Sequence, residues 1–137
     1  MVDIVITAAN VVAGATATTE TGKAGAAINA GQIVYPDPVD GSYKLALNNS
    51  GTAAARSPAA MALTSAAIGQ PLVVAKAGPV TVGAVLTVGV GYYLSANAGG
   101  ICPVADLGTG KYPALIGFAQ STSQLTIRFQ EAGVALP

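Results

Sequence analysis

The sequence predicts an all-β fold, a single small β-barrel or β-sandwich domain of short antiparallel strands. The first observation is strict alternation of side chains in three segments, VDIVIT at residues 2–7, SYKLAL at 42–47 and SQLTIRF at 123–129. Alternation with period two puts one face of a strand in the core and the other in solvent. The second observation is that turn signals recur at short intervals between the apolar segments: PDPVDG, NNSG, AGP, NAGG and DLGTGK.

Shorter apolar runs predict the remaining strands. They lie at residues 71–76, 85–88, 92–95 and 114–119, with less regular patterns at 32–35 and 58–63. The alanine-rich segments AGAAINAG and GTAAARSPAAMA favour helix by composition. Glycines and Pro58 divide them into pieces too short to be stable helices, so we allow a single helical turn at residues 52–55.

The chain is predicted to divide at residue 24. Residues 1–24 contain the VDIVIT segment and then nearly all of AGATATTETGKAG, which is small, polar and aperiodic. We expect an N-terminal strand or arm. Residues 25–137 form the β domain. Two alternatives stay open for VDIVIT: it adds a strand to the sheet edge of a partner, or it is an integral strand of the barrel.

The chain has few of the residue types that form catalytic or metal sites. The chain has no histidine and one cysteine, Cys102, which excludes Ser-His-Asp and Cys-His arrangements and imidazole zinc sites. A Ser-Lys pair is formally open, but no S-x-x-K motif is present. We expect a protein that is not an enzyme, with no catalytic residue, no cofactor and no metal.

Charge is scarce and scattered. Six Lys or Arg balance six Asp or Glu, and the cations form no cluster of the kind that holds nucleic acid. No apolar run approaches the roughly 20 residues of a membrane-spanning helix. The chain also has no Trp and only two Phe, which predicts a thin core. We expect neither nucleic acid nor membrane as a partner, and we expect oligomerisation or docking on a larger protein.

Two motifs suggest ligand sites and are better explained as turns. Asp37 and Asp40 in YPDPVDGSY lack the D-x-[DN]-x-[DN]-G pattern of a calcium loop, and the flanking prolines with Gly41 favour a polar turn. Gly89-Val90-Gly91 begins a dinucleotide fingerprint, but Leu94 takes the place of its third glycine.

The segment GVGYYLSANAGGICPV at residues 89–104 predicts a hairpin, with arms at 92–95 and 101–104 and the reversal at 97–100. Tyr92 and Tyr93 are adjacent in a strand, so one enters the core and the other faces outward. We predict an oligomer or surface contact at this pair, since tyrosine is common at interfaces. Cys102 is interpreted as a small, partly buried hydrophobic residue.

The order of these segments resembles small structural proteins of tailed bacteriophages, the capsid decoration, cement or head-fibre proteins. The likeness covers roughly residues 3–129 and lies in three phrases: DIVITAANVVAG leading into AGQIVYPDPVDGSYKLALNN, then ARSPAAMALTSAAIGQPLVVAKAGPVTVGAVLTVGVGYYLSANAGGICPVADL, then GKYPALIGFAQSTSQLTIRF. None of these phrases is a catalytic signature.

The resemblance implies a β-rich module, often a homotrimer, on the outer surface of the virion. Its partner is the major capsid protein, and it carries no enzymatic activity and no cofactor. Because such proteins often contact the capsid through a terminal arm, we predict capsid binding by Val2, Ile4 and Ile6. The alternatives are a head-fibre module that stacks host-surface sugars on Tyr43, Tyr92 or Tyr112, and a tail-tube or baseplate component.

Overall fold

The computed structural model describes residues 3–135 and 137. The predicted all-β class is confirmed: the described strands form one curled antiparallel sheet, a half-barrel. The strands are β1 Val11–Ala13, β2 Thr18–Lys23, β3 Ile33–Pro36, β4 Tyr43–Leu45, β5 Ala60–Ala62, β6 Pro71–Val82, β7 Gly91–Leu94, β8 Ile101–Pro103, β9 Ala114–Ala119 and β10 Gln124–Glu131. Three 3-10 turns accompany them, Ala8–Asn10, Ala53–Arg56 and Val104–Asp106.

The sheet is organised around β6. Its neighbours run in the order β4-β3-β5-β6-β10-β9-β7-β8, and β1 and β2 also pair with β6. The first part of β6 pairs with β2 and β5, and the last part pairs with β1 and β10. One strand therefore joins the two halves of the curled sheet.

The predicted AGP turn at residues 77–79 is wrong, because β6 continues through it. Gly78 has φ of +95°, a left-handed conformation that glycine adopts without a Cβ penalty, so the strand bends there without ending. The Pro79 carbonyl accepts a hydrogen bond from the Gly14 N–H at 2.8 Å. A glycine and a proline thus mark the point where β6 changes neighbours.

Two clusters of buried side chains fill the half-barrel. The larger cluster lies beneath β6, β7, β9 and β10 and includes Val80, Tyr92, Leu94, Ile116, Leu125 and Ile127. The smaller one lies beneath β3, β4, β5 and the first part of β6 and includes Ile28, Val34, Tyr43 and Leu72. In the smaller cluster the Tyr43 ring packs over Gly22, where a larger residue would collide with it.

Most of the predicted strands are confirmed, and several have shifted ends. The segment at 114–119 coincides with β9, and those at 32–35, 42–47, 58–63, 71–76, 92–95 and 123–129 correspond to β3, β4, β5, β6, β7 and β10. The hairpin of β7 and β8 is confirmed, with Tyr93 opposite Cys102 and its reversal closed by a hydrogen bond from the Gly100 N–H to the Asn97 carbonyl. The helical turn near residues 52–55 is also confirmed as Ala53–Arg56.

Two predicted strands are wrong. Residues 85–88 form a loop in which Val85 is 88% exposed and Leu86 is buried, because that segment has no neighbouring strand to pair with. Residues 3–7, the described part of VDIVIT, are not in a strand either. In contrast, the aperiodic segment after them contains β2, which forms because the edge of β6 supplies its hydrogen-bond partners. Within the described residues no helix is long and apolar enough to cross a membrane.

Candidate interaction surfaces

An exposed aromatic ring stands on the outer face of the sheet. Phe118 of β9 lies opposite Thr126 of β10 on one side and Gly91 of β7 on the other, and it is 52% exposed. Its Cε1 atom is 3.3 Å from the position that a Cβ would take on Gly91. The ring therefore covers backbone that has no side chain of its own, and its other face meets solvent.

Tyr93 and Leu115 complete an apolar patch around the same glycine. Tyr93 Cε1 and Leu115 Cδ1 lie 3.4 and 3.6 Å from that Cβ position, and both residues are half-buried. Tyr93, Leu115 and Phe118 are called the outer-face patch below. Phe118 is the exposed member of this patch, and an exposed aromatic ring beside further apolar side chains is typical of interaction sites, whereas isolated apolar residues are common on any surface.

The outer face remains uncharged towards β1. Val12, Thr81 and Gln124 face each other across β1, β6 and β10, and their chain neighbours Val11, Val80 and Leu125 point into the core. Val12 is 58% exposed. The side chains on this side carry no formal charge, so a partner that covers them desolvates a hydroxyl and an amide but no ion.

A groove of about 320 Å³ borders the outer-face patch on its other side. It is lined by Tyr93, Pro113, Leu115, Gln130, Glu131 and Ala132. An adjoining hollow of about 190 Å³ shares Pro113 and Glu131 and contains Arg56, whose guanidinium carbon lies 3.8 Å from the centre of the Tyr112 ring. The groove and the adjoining hollow together combine two aromatic rings with an amide, a carboxylate and a guanidinium.

The adjacent tyrosines point to opposite faces of the sheet, as predicted, and the predicted oligomer or surface contact stays a prediction for Tyr93 while Tyr92 is too buried to make one. Tyr92 is 3% exposed and enters the core, where its hydroxyl accepts a hydrogen bond from the Thr87 N–H at 2.9 Å. Tyr93 faces outward. The expectation of exposed Tyr43 and Tyr92 for sugar stacking is wrong, since both are buried. Burial also raises the pKa of Tyr43.

The N-terminal residues predicted to bind a capsid are placed as follows. Val2 lies outside the described residues. Ile4 and Ile6 are half-buried and pack against the larger core cluster, whereas Val5 between them is 86% exposed. The apolar side chains on which that prediction rested are therefore engaged within the domain.

Cys102 was predicted to be partly buried and is fully buried, and the aspartate segment forms the predicted polar turn. Cys102 is fully buried in β8, and burial raises the pKa of its thiol to about 11. In the turn, an Asp37 carboxylate oxygen accepts from the Val39 N–H, and Asp40 accepts from Ser42. The hydrogen bond from Lys44, with that from Val39, lowers the pKa of Asp37. Within the described residues no group of three or more Cys, Asp or Glu is placed to hold a metal ion.

Sequence reasoning found Tyr93 and missed Leu115 and Phe118. Alternation through ALIGFA would place residues 115 and 118 on opposite faces. The register between β7 and β9 shifts, with Tyr92 opposite Gly117 but Tyr93 opposite Leu115, so that Ile116 bulges. A β-bulge of this kind re-aims side chains and leaves no signal in the pattern of the strand itself.

No family model, no curated protein and no solved structure matches this chain.

Proposed function

We propose that this protein is a capsid decoration protein of a tailed bacteriophage. It binds the outer surface of the major capsid protein shell, as a homotrimer, and stabilises the shell. It acts as a structural part of the virion and catalyses no reaction. The sequence resemblance names the partner, and the outer-face patch is the observation that supports a docking role.

Several weak contacts to the shell add up to stable binding. Burying exposed apolar surface contributes about 25 cal/mol per Å², and the face between the outer-face patch and β1 adds no charged group to desolvate. One such contact is weak. In a homotrimer the same contact occurs in each subunit, and once one subunit is bound the others bind at a high effective concentration. A ligand that binds only the assembled shell stabilises it by mass action.

The predicted capsid contact through Val2, Ile4 and Ile6 stays a prediction. Because Ile4 and Ile6 pack on the larger core cluster, their side chains would first have to leave the domain. The outer-face patch needs no such rearrangement, and we therefore assign it as the surface that faces the shell.

The test is co-sedimentation of the purified protein with undecorated capsids. We expect saturable, stoichiometric binding, which Phe118→Ser weakens at least tenfold. The matched control is Val39→Ser, since Val39 is 91% exposed and lies in the turn between β3 and β4, away from the outer-face patch. Thermal melts of both variants check that each remains folded.

Two results would contradict the proposal. Failure to bind undecorated capsids at any concentration would exclude the decoration role. Normal capsid binding by Phe118→Ser would retain that role and exclude the outer-face patch as the contact.

A second candidate function is a head-fibre module that binds host-surface carbohydrate. The groove at Tyr93 and the adjoining hollow at Tyr112 favour this function. Sugars stack on aromatic rings and hydrogen-bond to side chains such as Gln130 and Glu131. Saturable glycan binding that is lost in Tyr93→Ala, without capsid binding, would favour this function over decoration.

A further inference from the structure

The N-terminal segment lies in a groove that it contacts closely along its length. Residues 3–7 run between the loop at 29–32 and the turn at 97–100, beside a hollow of about 290 Å³. Residues 3–7 are called the arm below, and the surface that receives them is called the arm seat.

Three glycines in the arm seat make room for the arm. A Cβ on Gly31 would lie 2.6 Å from Ile6 Cγ2, and one on Gly83 would lie 2.5 Å from the Thr7 carbonyl oxygen. A Cβ on Gly100 would collide with the Asp3 carboxylate. These glycines lie in three separate loops, so the close fit belongs to the arm seat as a whole.

Polar contacts set the position of the arm along its seat. The Asp3 carboxylate accepts hydrogen bonds from Ser95 Oγ at 2.6 Å and Asn97 Nδ2 at 3.0 Å. The Ile4 N–H donates to the Ile101 carbonyl at the edge of β8, at 2.9 Å. The arm seat therefore recognises an acidic residue followed by alternating aliphatic residues in an extended chain.

The arm is joined to the rest of the domain by a short connection. The 3-10 turn Ala8–Asn10 follows it, has no side-chain cap and contains no fully buried residue, although Ala8 packs against the larger core cluster. The contacts of Asp3 reach residues more than 90 positions away in the chain. Nothing in them requires that the arm and its seat belong to one chain, and such an element is readily exchanged between copies.

The geometry points to the arm of a second copy of this chain as the partner of the arm seat. Opening the Ala8–Asn10 turn lets each copy place its arm in the seat of a neighbour, with every contact of the closed form retained. Exchange in one direction around a closed ring produces a cyclic oligomer. The interaction requires no capsid, so it can be tested apart from capsid binding, and it gives the homotrimer of the proposed function a means of assembly.

The test separates the arm from its seat. A variant without residues 1–7 is titrated with a synthetic peptide of residues 1–9, and binding is measured by calorimetry. We expect saturable one-to-one binding. The Asp3→Asn peptide should bind about tenfold more weakly, since charge-assisted hydrogen bonds are roughly twice as strong as neutral ones. If the truncated chain is unfolded alone, the wild-type peptide should restore its circular dichroism spectrum.

The exchange itself is tested on the full chain by analytical ultracentrifugation. We expect an oligomer that excess peptide of residues 1–9 converts to single chains, because free peptide competes for the arm seats. Gly100→Ala should shift the full chain towards single chains, and Gly108→Ala, whose Cβ would meet nothing within 4 Å, should not.

Two outcomes would overturn the inference. A truncated chain that neither binds the peptide nor refolds with it excludes a separable arm seat. A full chain that is a monomer at all concentrations, or an oligomer that neither the peptide nor Gly100→Ala affects, excludes exchange. Capsid binding is not measured in either experiment, so it keeps its own test. A monomeric full chain would exclude the homotrimer in the proposed function, whereas an oligomer that does not respond to peptide or Gly100→Ala would exclude arm exchange alone.

Discussion

The arm and β10 have nearly the same sequence pattern and very different surroundings. In the arm, Ile4 and Ile6 alternate with exposed Val5, and in β10, Leu125 and Ile127 alternate with half-buried Thr126. β10 is hydrogen-bonded to β6 on one side and to β9 on the other. The arm makes two backbone hydrogen bonds to distant residues, from the Ile4 N–H to the Ile101 carbonyl and from the Thr7 N–H to the Gly83 carbonyl.

The difference shows what the alternation of apolar and polar residues can and cannot predict. It predicts which side chains turn towards the core, and it was right for Ile4, Ile6, Leu125 and Ile127. It does not report whether a neighbouring strand lies within hydrogen-bonding distance. A segment becomes a strand when the fold brings another edge beside it, and the arm meets loops along most of its length.

The largest expected difference between the two regions is in stability. Leu125→Ala removes a fully buried side chain from the larger core cluster and should lower the free energy of unfolding by about 3 kcal/mol. Ile4→Ala removes a half-buried side chain from the arm and should cost about 1 kcal/mol. Urea denaturation measures both values. Equal losses would show that the arm is as integral to the fold as β10.

A smaller effect is expected at Cys102 of β8, next to Ile101, whose carbonyl accepts a hydrogen bond from the arm. Burial raises the pKa of its thiol from 9.0 to about 11, with smaller contributions from Asp3 and Asp106. Because the folded state keeps the thiol protonated, this stabilisation is complete below pH 9 and is lost as pH rises through 11. The loss amounts to roughly 2 kcal/mol.

Urea denaturation of the wild-type protein and Cys102→Ala between pH 8 and 11 tests this pH dependence. The stability difference between them should shrink by that amount as pH rises. A constant difference would show that the thiol titrates normally, and hence that the edge of β8 beneath the arm is open to solvent.

The smallest effect on stability is expected from Gly100→Ala, which acts on the arm alone. The added Cβ collides with the Asp3 carboxylate and should displace the arm, at a cost of about 1 kcal/mol, while the sheet remains intact. In limited proteolysis, residues 3–10 of Gly100→Ala should be cut much faster than the same residues of Gly108→Ala. Gly31 and Gly83 are less suitable sites, because their positive φ would add backbone strain of its own. Unchanged cleavage would mean that the arm accommodates the extra methyl group in place.

Much of the sheet could be read from local patterns, and the errors have specific causes. β9 was predicted to the residue because its apolar run is bounded by turn residues on both sides. β2 was missed because Thr18–Lys23 lacks an apolar face, and it is held by pairing with β6. The turn predicted at residues 77–79 failed because glycine and proline signal any departure from regular strand, a bend as well as a reversal.

The candidate surfaces were less accessible to sequence reasoning. The outward direction of Tyr93 follows from alternation once its hairpin is placed. The patch that it shares with Leu115 and Phe118 depends on a bulge at Ile116 and on Gly91 in a neighbouring strand, which local patterns do not contain. The alanine-rich and glycine-rich composition likewise gives no indication that Gly31, Gly83 and Gly100 converge on one arm.

The sequence by itself determined the fold class, most of the strands, the hairpin at residues 91–103 and the opposite directions of Tyr92 and Tyr93, because these depend on period-two patterning and turn chemistry within a few residues. The tertiary structure alone decided that β6 joins both halves of the sheet, that Phe118 stands beside Tyr93, and that the arm lies in a glycine-lined seat without becoming a strand. These features depend on contacts between residues far apart in the chain, whose register is set by the closure of the whole sheet.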